Sequence, residues 1–449
     1  MSPSTRPIRP IIAIVIALVA GACVGKTPAT TVPSAPSSPP ATVPSGPPTL
    51  TPITGVVSAS SDAWLVAGRT GEPGVHVILA STSEPLFDLP AGIPDRTWSQ
   101  LLTASTDGST TVVRDLFIPT DQGGTSQTID GAWQLPTIGA DPALVGVSDD
   151  GKTIVLVEKR PPGTASGTTR FAIVRRALDS KPRIVELQGS FTYDALSPDG
   201  SVLYVVEHLA GPPDGHYQVR AVETATGTLR THVVVDKSGG NEAMAGWPIA
   251  QARRPDGMVF TLYHGAEHPF IHALSSTDAW ALCIDLPATG FDNAAAATDW
   301  GLAATADGAA LVAANATLGL AVKIALPDLA IGRSVTFAPS ASTAITLAKF
   351  GHEEAGVVGR RVVASPLGSA VYAAGPSGIV SIATADLAVT GRLLEGVPVD
   401  ALAVTPDGGT IYALVHAAGR IVKLDAVSGK MVGEVPGGGF DRLFAVVPW

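Results

Sequence analysis

A short unit recurs along this chain: a few apolar residues, a turn reading Ser/Thr-x-Asp-Gly or a close variant, and then an alternating apolar strand. Eight copies begin at Ser58, Thr103, Val147, Leu196, Arg253, Thr305, Ala364 and Val404. The turn glycines, from Gly108 to Gly408, are 40 to 60 residues apart, a period typical of repeat architectures. Because Asp-Gly between two apolar runs is a strong hairpin signal, each copy marks an antiparallel corner.

The clearest copies carry a second hairpin. Residues 217–222 and 421–424 read as strands, and turns ending at Gly227 and Gly429 lead each of them into a further strand. Two hairpins make four strands, so each copy predicts one four-stranded sheet.

A ring of such sheets buries every sheet face against a neighbour and leaves only short edges exposed. The predicted fold is therefore all-β, a closed β-propeller of seven or eight four-stranded blades. The number stays open because the first copy lacks its turn glycine and a 60-residue gap precedes Gly368. Residues 440–447 resemble the start of a unit, and we expect them to pair with the first blade, within residues 54–90, and close the ring.

Two units resemble the bacterial YVTN-type, WD40-like β-propeller repeats. The resemblance is carried by SPDG at 197–200 with LYV at 203–205, TPDG at 405–408 with IYA at 411–413, and the turns at Gly227 and Gly429. No Gly-His or Trp-Asp dipeptide stands where a true WD40 repeat has one. These motifs specify strand corners and carry no chemistry, so the resemblance implies a fold and leaves function open.

The N-terminus has the features of an export signal. Residues 1–22 combine Arg6 and Arg9 with an apolar run from Ile11 to Ala20 and end in small residues. The uncharged stretch is shorter than the roughly 20 residues that a membrane-spanning helix needs. We therefore predict a signal peptide that is removed.

The segment LVAGAC, residues 18–23, resembles a bacterial lipobox, which implies that Cys23 is lipidated and becomes the mature N-terminus. The match is imperfect, since Ala20 stands where a lipobox usually has Leu. Residues 23–53 follow as a Pro/Ser/Thr-rich tether, with nine prolines and no charge in residues 27–53. Extended polyproline of this length reaches roughly 80 Å. The alternative is ordinary cleavage and secretion, and in both cases residues 54–449 form the folded domain.

Composition excludes several classes of partner. With 29 Lys and Arg against 39 Asp and Glu, the chain has a net charge of −10 and no electrostatic reason to bind nucleic acid. Two cysteines exclude a disulfide-dense scaffold and a thiolate zinc module. An acidic domain is repelled by anionic headgroups, so membrane attachment is expected to come from the lipid.

The densest cluster of polar residues is YHGAEHPFIHA, with His264, Glu267, His268 and His272. Three imidazoles and a carboxylate suit a transition-metal site, and the alternative is that they form hydrogen bonds within a blade or loop. The segment falls at the corner between the second and third strands of a blade. Cys283 lies in an apolar strand and is expected to pack as a small buried hydrophobe.

No common catalytic or nucleotide-binding motif occurs, so we expect no catalytic residue and no cofactor. The leading interpretation is a non-enzymatic, membrane-tethered propeller that binds a protein, peptide or glycan at the cell envelope. The alternatives are an extracytoplasmic enzyme, for which the YVTN resemblance implies a lactonase-type or quinoprotein-dehydrogenase-like activity, and a structural envelope-assembly protein. A closed ring has no structural need of a second copy, so we expect a monomer.

Overall fold

The computed structural model describes residues 63–448 except 70–71, 73, 96–97, 119–123, 137–144, 161–166, 210–215, 235–243, 255, 266, 291, 293, 327 and 340–358. The predicted signal peptide, lipidated Cys23 and tether lie outside the described residues. Among those described, no helix is long and apolar enough to cross a bilayer.

The described residues form eight four-stranded blades, here numbered 1 to 8 in chain order. Blades 4 and 5 are joined into one sheet by two antiparallel residue pairs, His216 with Ala245 and Tyr217 with Met244. Blade 1 contains β1 (Ala63–Arg69), β2 (Val75–Leu79) and β3 (Pro85–Leu89), and blade 2 contains β4 (Ile93–Pro94), β5 (Gln100–Asp107), β6 (Thr110–Phe117) and β7 (Thr125–Asp130). Blade 3 contains β8 (Trp133–Gln134), β9 (Thr153–Glu158), β10 (Thr168–Arg175) and β11 (Arg183–Gln188). Blade 4 contains β12 (Ser190–Leu196), β13 (Val202–His208), β14 (His216–Glu223) and β15 (Thr228–Val234).

Blades 5 to 8 follow the same plan. Their strands are β16 (Met244–Arg253), β17 (Met258–Gly265), β18 (Pro269–Ser275), β19 (Trp280–Asp285); β20 (Gly301–Ala304), β21 (Ala310–Asn315), β22 (Leu320–Ala325), β23 (Ala330–Thr336); β24 (Val362–Ala364), β25 (Ala370–Gly375), β26 (Gly378–Ala383), β27 (Val389–Leu393); β28 (Ala401–Val404), β29 (Thr410–Val415), β30 (Arg420–Asp425), β31 (Met431–Glu434) and a last strand, β32 (Phe440–Pro448). One helical turn, α1 (Ala294–Ala297), precedes β20, and a 3₁₀ turn (His416–Ala418) joins β29 to β30.

In blades 2 to 8 the first strand lies on the inside of the ring. Contacts run from β16 to β20, from β20 to β24, from β24 to β28 and from β28 to β32. The predicted closure is confirmed, because β32 pairs antiparallel with β1 and supplies the innermost strand of blade 1. Leu65 faces Val446 and Arg69 faces Phe440 in this pairing, so the two ends of the domain share one sheet.

Apolar clusters fill every interface between neighbouring blades. Each cluster draws buried side chains from at least two consecutive blades, including the interface between blades 8 and 1. At that closing interface, the Tyr412 hydroxyl donates to the Ala80 carbonyl at 2.6 Å and Lys423 Nζ donates to the same oxygen at 2.7 Å. Burial on both faces explains why the second and third strands are almost continuously apolar.

The repeat turns have a common geometry. All seven turn glycines, from Gly108 to Gly408, have positive φ between 59° and 86°. In the turn after β12, the Gly200 N–H donates to the Ser197 carbonyl, and Asp199 Oδ1 accepts from the Ser201 N–H at 3.0 Å and from the Ser197 hydroxyl at 2.8 Å. The Asp side chain therefore stabilises the turn by accepting hydrogen bonds within it, as the turn pattern predicts.

The outermost strands are protected by β-bulges. The register of the outer pair shifts by one residue in blades 1, 6, 7 and 8 and by two residues in blade 4. In blade 8 the extra residue is Val432, which is 62% exposed, and in blade 6 it is Gly332. A bulge interrupts the row of unpaired backbone groups, which opposes edge-to-edge association between molecules.

We predict that Asp199→Ala lowers the free energy of unfolding by about 1 kcal/mol at pH 7, because the Ser201 N–H and the Ser197 hydroxyl lose their acceptor. Hydrogen bonds from the Ser201 backbone and the Ser197 side chain hold the pKa of Asp199 below its ordinary 3.8. The Asp199 carboxylate therefore stabilises the folded state fully above pH 3.8. This stabilisation is lost as the pH falls through the pKa of the folded state, which lies below 3.8.

Urea unfolding of both proteins at pH 7 and pH 3 measures the effect. Leu367→Ala is the matched control, since Leu367 occupies the Asp position of the blade 7 turn and is 69% exposed. An equal loss of stability in the two variants would show that the carboxylate is not what supports the turn.

Candidate functional site

The four residues of the predicted metal site lie in blade 5, around the corner between β17 and β18. His264 is near the end of β17, Glu267 and His268 lie in the connection, and His272 is in the middle of β18. The predicted location of this segment, between the second and third strands of a blade, is correct. Glu267 is exposed, whereas His272 is only 1% exposed.

The register separates the histidines. His264 pairs with Pro269, whereas His272 pairs with Thr261, three positions further along the hairpin. Because paired residues share a face and successive residues alternate, His264 and His272 point to opposite faces of the sheet, roughly 10 Å apart along the strands. Among the described residues no three His, Cys, Asp or Glu side chains are grouped to hold a metal ion. These four residues therefore do not form one ligand set in this structure.

Their individual contacts are structural. His272 packs edge-on against the Tyr263 ring, with centroids 6.4 Å apart, and it faces Cys283 across the sheet. His268 Nδ1 lies 3.2 Å from the Pro269 carbonyl oxygen. Burial lowers the pKa of His264. Cys283 lies in β19 as predicted, but it is half-buried, where full burial was expected.

A different group of polar residues occupies the inner strands. The repeats can be aligned on the first residue of the turn, which is Ser197 in blade 4. Three residues before this point, blades 3, 6, 7 and 8 have an apolar residue. The same position is Asp194 in blade 4 and Gln251 in blade 5. Four and five residues before the turn, blade 7 has Arg361 and Arg360. Equivalent repeat positions lie at similar heights in the ring, which places Gln251 and the two arginines near one another on its inner wall, on either side of blade 6.

A small cavity lies at this height between the inner strands of blades 5, 6 and 7. Its volume is about 60 Å³, and it is lined by Ile249, Ala250, Gln251, Thr298, Trp300, Gly301, Leu302, Arg360, Arg361 and Val362. The buried Trp300 side chain, at 2% exposure, gives it an apolar wall. The two arginines supply its charged groups.

The backbone fixes the two arginines. Gly359 forms a parallel bridge with Leu443 of β32, at φ +133°, and a Cβ there would lie 2.1 Å from the Leu443 carbonyl oxygen. Only glycine allows this close approach. The Arg360 carbonyl then accepts from Leu402 N–H and the Arg361 carbonyl from Ala374 N–H, both at 2.8 Å. The chain entering β24 is thus attached to blades 7 and 8 and to the closing strand.

Arg361 is oriented by an ion pair. Its Nη2 lies 3.3 Å from Asp299 Oδ1, and both side chains are mostly buried, at 23% and 11% exposure. The Thr317 hydroxyl donates to the other oxygen of Asp299 at 2.7 Å. A guanidinium has five N–H donors in one plane, so Arg361 can hold Asp299 and still bind a second acceptor.

Behind the cavity, Gln251 connects blade 5 to a buried acid in blade 4. Gln251 Nε2 donates to Thr261 Oγ1 at 3.0 Å and lies 3.4 Å from the Asp194 carbonyl oxygen. Asp194 is the extra residue of a bulge in β12 and is 1% exposed. Burial raises its pKa to about 6, although the positive charge of Arg253 opposes that shift. Buried acids with a raised pKa next to a cavity are frequent at functional sites.

The cavity residues can bind rather than react. The described lining residues supply arginine, amide, hydroxyl and indole groups, and none of them is a carboxylate, imidazole or thiol. General acid–base or nucleophilic catalysis normally uses one of those latter groups. Sequence inspection missed this site because it sought motifs along the chain. Aligning the copies on the turn would have shown Asp194, Gln251 and Arg361 at positions where most copies have an apolar residue or glycine.

Comparison with known proteins shows the fold. The chain is similar to apo AztD from Citrobacter koseri, with 13% identity and a TM-score of 0.51 over 86% of this chain and 98% of that one. It is also similar to the dihydro-heme d1 dehydrogenase NirN in complex with DHE, with 14% identity and a TM-score of 0.54 over 88% and 77% of the two chains.

The periplasmic gluconolactonase PpgL of Pseudomonas aeruginosa is 18% identical, with a TM-score of 0.41 over 78% of this chain and 98% of that one. No protein-family model and no curated protein matches the sequence. At these identities the likeness to AztD and NirN, with TM-scores above 0.5, shows the propeller fold and no function. The resemblance to YVTN repeats stays a prediction.

We predict that Asp194→Asn changes the pH dependence of stability. With a folded-state pKa of about 6 against an ordinary 3.8, Asp194 takes up a proton on folding between these pH values, so stability is highest below pH 4 and falls as the pH rises through 6. The shift corresponds to roughly 3 kcal/mol. Asn does not titrate, so the stability of the variant relative to the wild type should rise by about this amount between pH 4 and pH 7.5.

Urea unfolding at pH 4, 6 and 7.5 measures this difference. Asp256→Asn, in the exposed turn after β16, is the control and should show no comparable trend. Parallel pH profiles for the wild type and Asp194→Asn would contradict the assignment of a raised pKa to this carboxyl.

Proposed function

We propose that this protein is an extracytoplasmic, membrane-tethered β-propeller that binds a ligand at the inner wall of its ring without transforming it. The observation that carries the proposal is the cavity between blades 5, 6 and 7, whose polar groups depart from the repeat and are held by Asp299, Thr317 and the backbone of blade 8. Rigidly held donors beside an apolar wall are typical of a small-ligand site.

The location follows from the N-terminal features. The export signal of residues 1–22 and the Pro/Ser/Thr-rich tether of residues 23–53 support a domain held outside the cytoplasm, at a distance from the membrane. The lipobox resemblance at Cys23 supports a lipid anchor. A small ligand captured at the cell surface, alone or as part of a peptide or glycan, fits this arrangement.

An extracytoplasmic enzyme is the second candidate. The observation in its favour is the buried Asp194, whose pKa of about 6 suits a general acid near neutral pH. Asp194 is not among the residues that line the cavity, and Gln251 stands between the two. Binding therefore has the stronger support.

Lipidation is tested with the full chain expressed in a bacterium that carries out lipoprotein processing. We expect the wild type to incorporate radiolabelled palmitate and to partition into the detergent phase of a Triton X-114 extract. Cys23→Ala should do neither, because it removes the acceptor thiol, whereas Cys283→Ala should behave as the wild type. Label in neither the wild type nor Cys283→Ala, with protein in the medium, would show a secreted protein.

Binding is tested by thermal unfolding of the full chain in detergent against a library of sugars, amino acids, dicarboxylates, phosphate esters and short peptides. A ligand of the cavity should raise the unfolding temperature of the wild type. Ala250→Leu, which fills part of the cavity, should abolish that rise, whereas Ala418→Leu, on the exposed 3₁₀ turn, should preserve it.

Mass spectrometry of the recovered ligand separates the two candidate functions. An unchanged ligand supports a binding module. Conversion of the ligand by the wild type and not by Asp194→Asn would favour the enzyme. A ligand whose effect is equal in Ala250→Leu and the wild type would place the binding site elsewhere.

A further inference from the structure

A second cleft lies between blades 2 and 3, and none of its residues lines the inner-wall cavity. Its volume is about 390 Å³, within the range of small-molecule sites. Its walls include Gln100, Asp115, Phe117 and Thr125 from blade 2 and Arg176 from blade 3.

The wall from blade 2 continues the sheet face that packs against blade 3. Val113, Asp115 and Phe117 alternate along β6, so their side chains share this face. Val113 is fully buried among residues of blade 3, whereas Phe117 is 47% exposed. Gln100 is the β5 partner of Phe117 and Thr125 is the β7 partner of Asp115, so both lie on the same face. An exposed aromatic ring therefore stands beside amide, hydroxyl and carboxylate groups.

The side chain of Arg176 reaches from blade 3 to the polar wall of blade 2. Its Nε donates to Asp115 Oδ2 at 2.8 Å and its Nη2 donates to Oδ1 at 2.7 Å, and both side chains are mostly buried. The Arg176 N–H donates to the Lys152 carbonyl at 2.8 Å. Replacing a buried ion pair by apolar residues is often neutral or stabilising, so stability alone does not explain this pair. It does fix the orientation of a planar donor and a planar acceptor before any ligand arrives.

The other two cations among the described lining residues are also paired with acids. Lys152 Nζ lies 3.2 Å from Asp150 Oδ2, and Arg175 Nε lies 3.7 Å from Asp179 Oδ1. The charges around the cleft therefore balance, in a chain whose net charge is −10. A cleft of balanced charge has no electrostatic preference for an ion, which favours a neutral ligand.

The Arg176–Asp115 pair keeps hydrogen-bonding capacity that suits hydroxyl groups. Asp115 uses two of the five N–H donors of Arg176, and each carboxylate oxygen can accept a second hydrogen bond. A hydroxyl both donates and accepts, so two adjacent hydroxyls match a donor and an acceptor that lie side by side. The face of an aromatic ring carries partial negative charge and attracts the C–H bonds of an apolar surface. A hexose ring combines adjacent hydroxyls with a C–H face.

We infer that the cleft between blades 2 and 3 binds a neutral hexose unit, with its C–H face on Phe117 and two adjacent hydroxyls on Arg176 and Asp115. Gln100 and Thr125 supply further hydrogen-bonding groups at the same wall. A free sugar and a unit of a glycan chain offer the same chemistry, and the test separates these two sources. This is a second site, and it does not depend on the ligand of the inner-wall cavity.

The test is isothermal titration of the full chain in a detergent without a sugar head group. The probes are the methyl glycosides of glucose, galactose and mannose and the trisaccharides built from each. Binding of a methyl glycoside would identify a single unit as sufficient, and binding of a trisaccharide alone would identify a glycan chain.

Phe117→Ala should weaken binding about tenfold, because it removes the aromatic surface, whereas Phe117→Trp should retain it. Ile331→Ala is the matched control, since Ile331 is an apolar residue 42% exposed on the outer strand of blade 6, and it should bind as the wild type does. Arg176→Lys should also weaken binding, because an ammonium group lacks the planar donors. If that variant does not fold, the Phe117 variants decide the question, since the exposed ring is not needed for packing.

Raising NaCl from 50 to 300 mM should leave the affinity unchanged, because the ligand carries no charge. Binding of none of the probes, or equal binding by Phe117→Ala and the wild type, overturns the inference. Sugar binding that is lost in Ala250→Leu but kept in Phe117→Ala would overturn it as well, while supporting the proposed function of the inner-wall cavity.

Discussion

The structure depends on one constraint: each four-stranded sheet is apolar on both faces and must be covered on both. A linear row of such sheets would expose the outer faces of its first and last members, whereas a ring exposes neither. The pairing of β32 with β1 and the contacts of Tyr412 and Lys423 with the Ala80 carbonyl bring the last blade against the first. Closure is therefore what gives every one of the eight blades an apolar cluster on each of its faces.

Closure also determines where function can lie. The faces of the blades are occupied by packing and the outer edges are interrupted by bulges, so the inner wall is one of the few places where a side chain can vary without exposing an apolar face. Gln251, Arg360 and Arg361 occupy that wall at neighbouring positions of the repeat. Gly359, by crossing close to β32, links the placement of the two arginines to the strand that closes the ring.

Much of the fold could be predicted from the sequence because its signals are local. An Asp-Gly turn specifies positive φ, a hairpin and the hydrogen bonds of the Asp side chain within a few residues, and the observed turns have this geometry. The closing strand could be predicted because residues 440–447 resemble the start of a blade. The number of blades could not be decided between seven and eight, since the spacing in blades 1 and 7 is irregular.

The site was less accessible to sequence reasoning. His264, His268 and His272 are close in sequence, but whether two residues of a hairpin share a face depends on the register, and one step of register exchanges the faces. The inner-wall arginines belong to blade 7 and Gln251 to blade 5, and their proximity exists only after the ring has formed. Predicting it requires the repeats to be aligned and their exceptions to be read together.

The most direct test of this account is crystallographic: the structure of the protein bound to a library ligand that raises its unfolding temperature. The account predicts electron density for that ligand in the cavity between blades 5, 6 and 7, in contact with Ala250 and Trp300. Density confined to another surface, with none in this cavity, would contradict it.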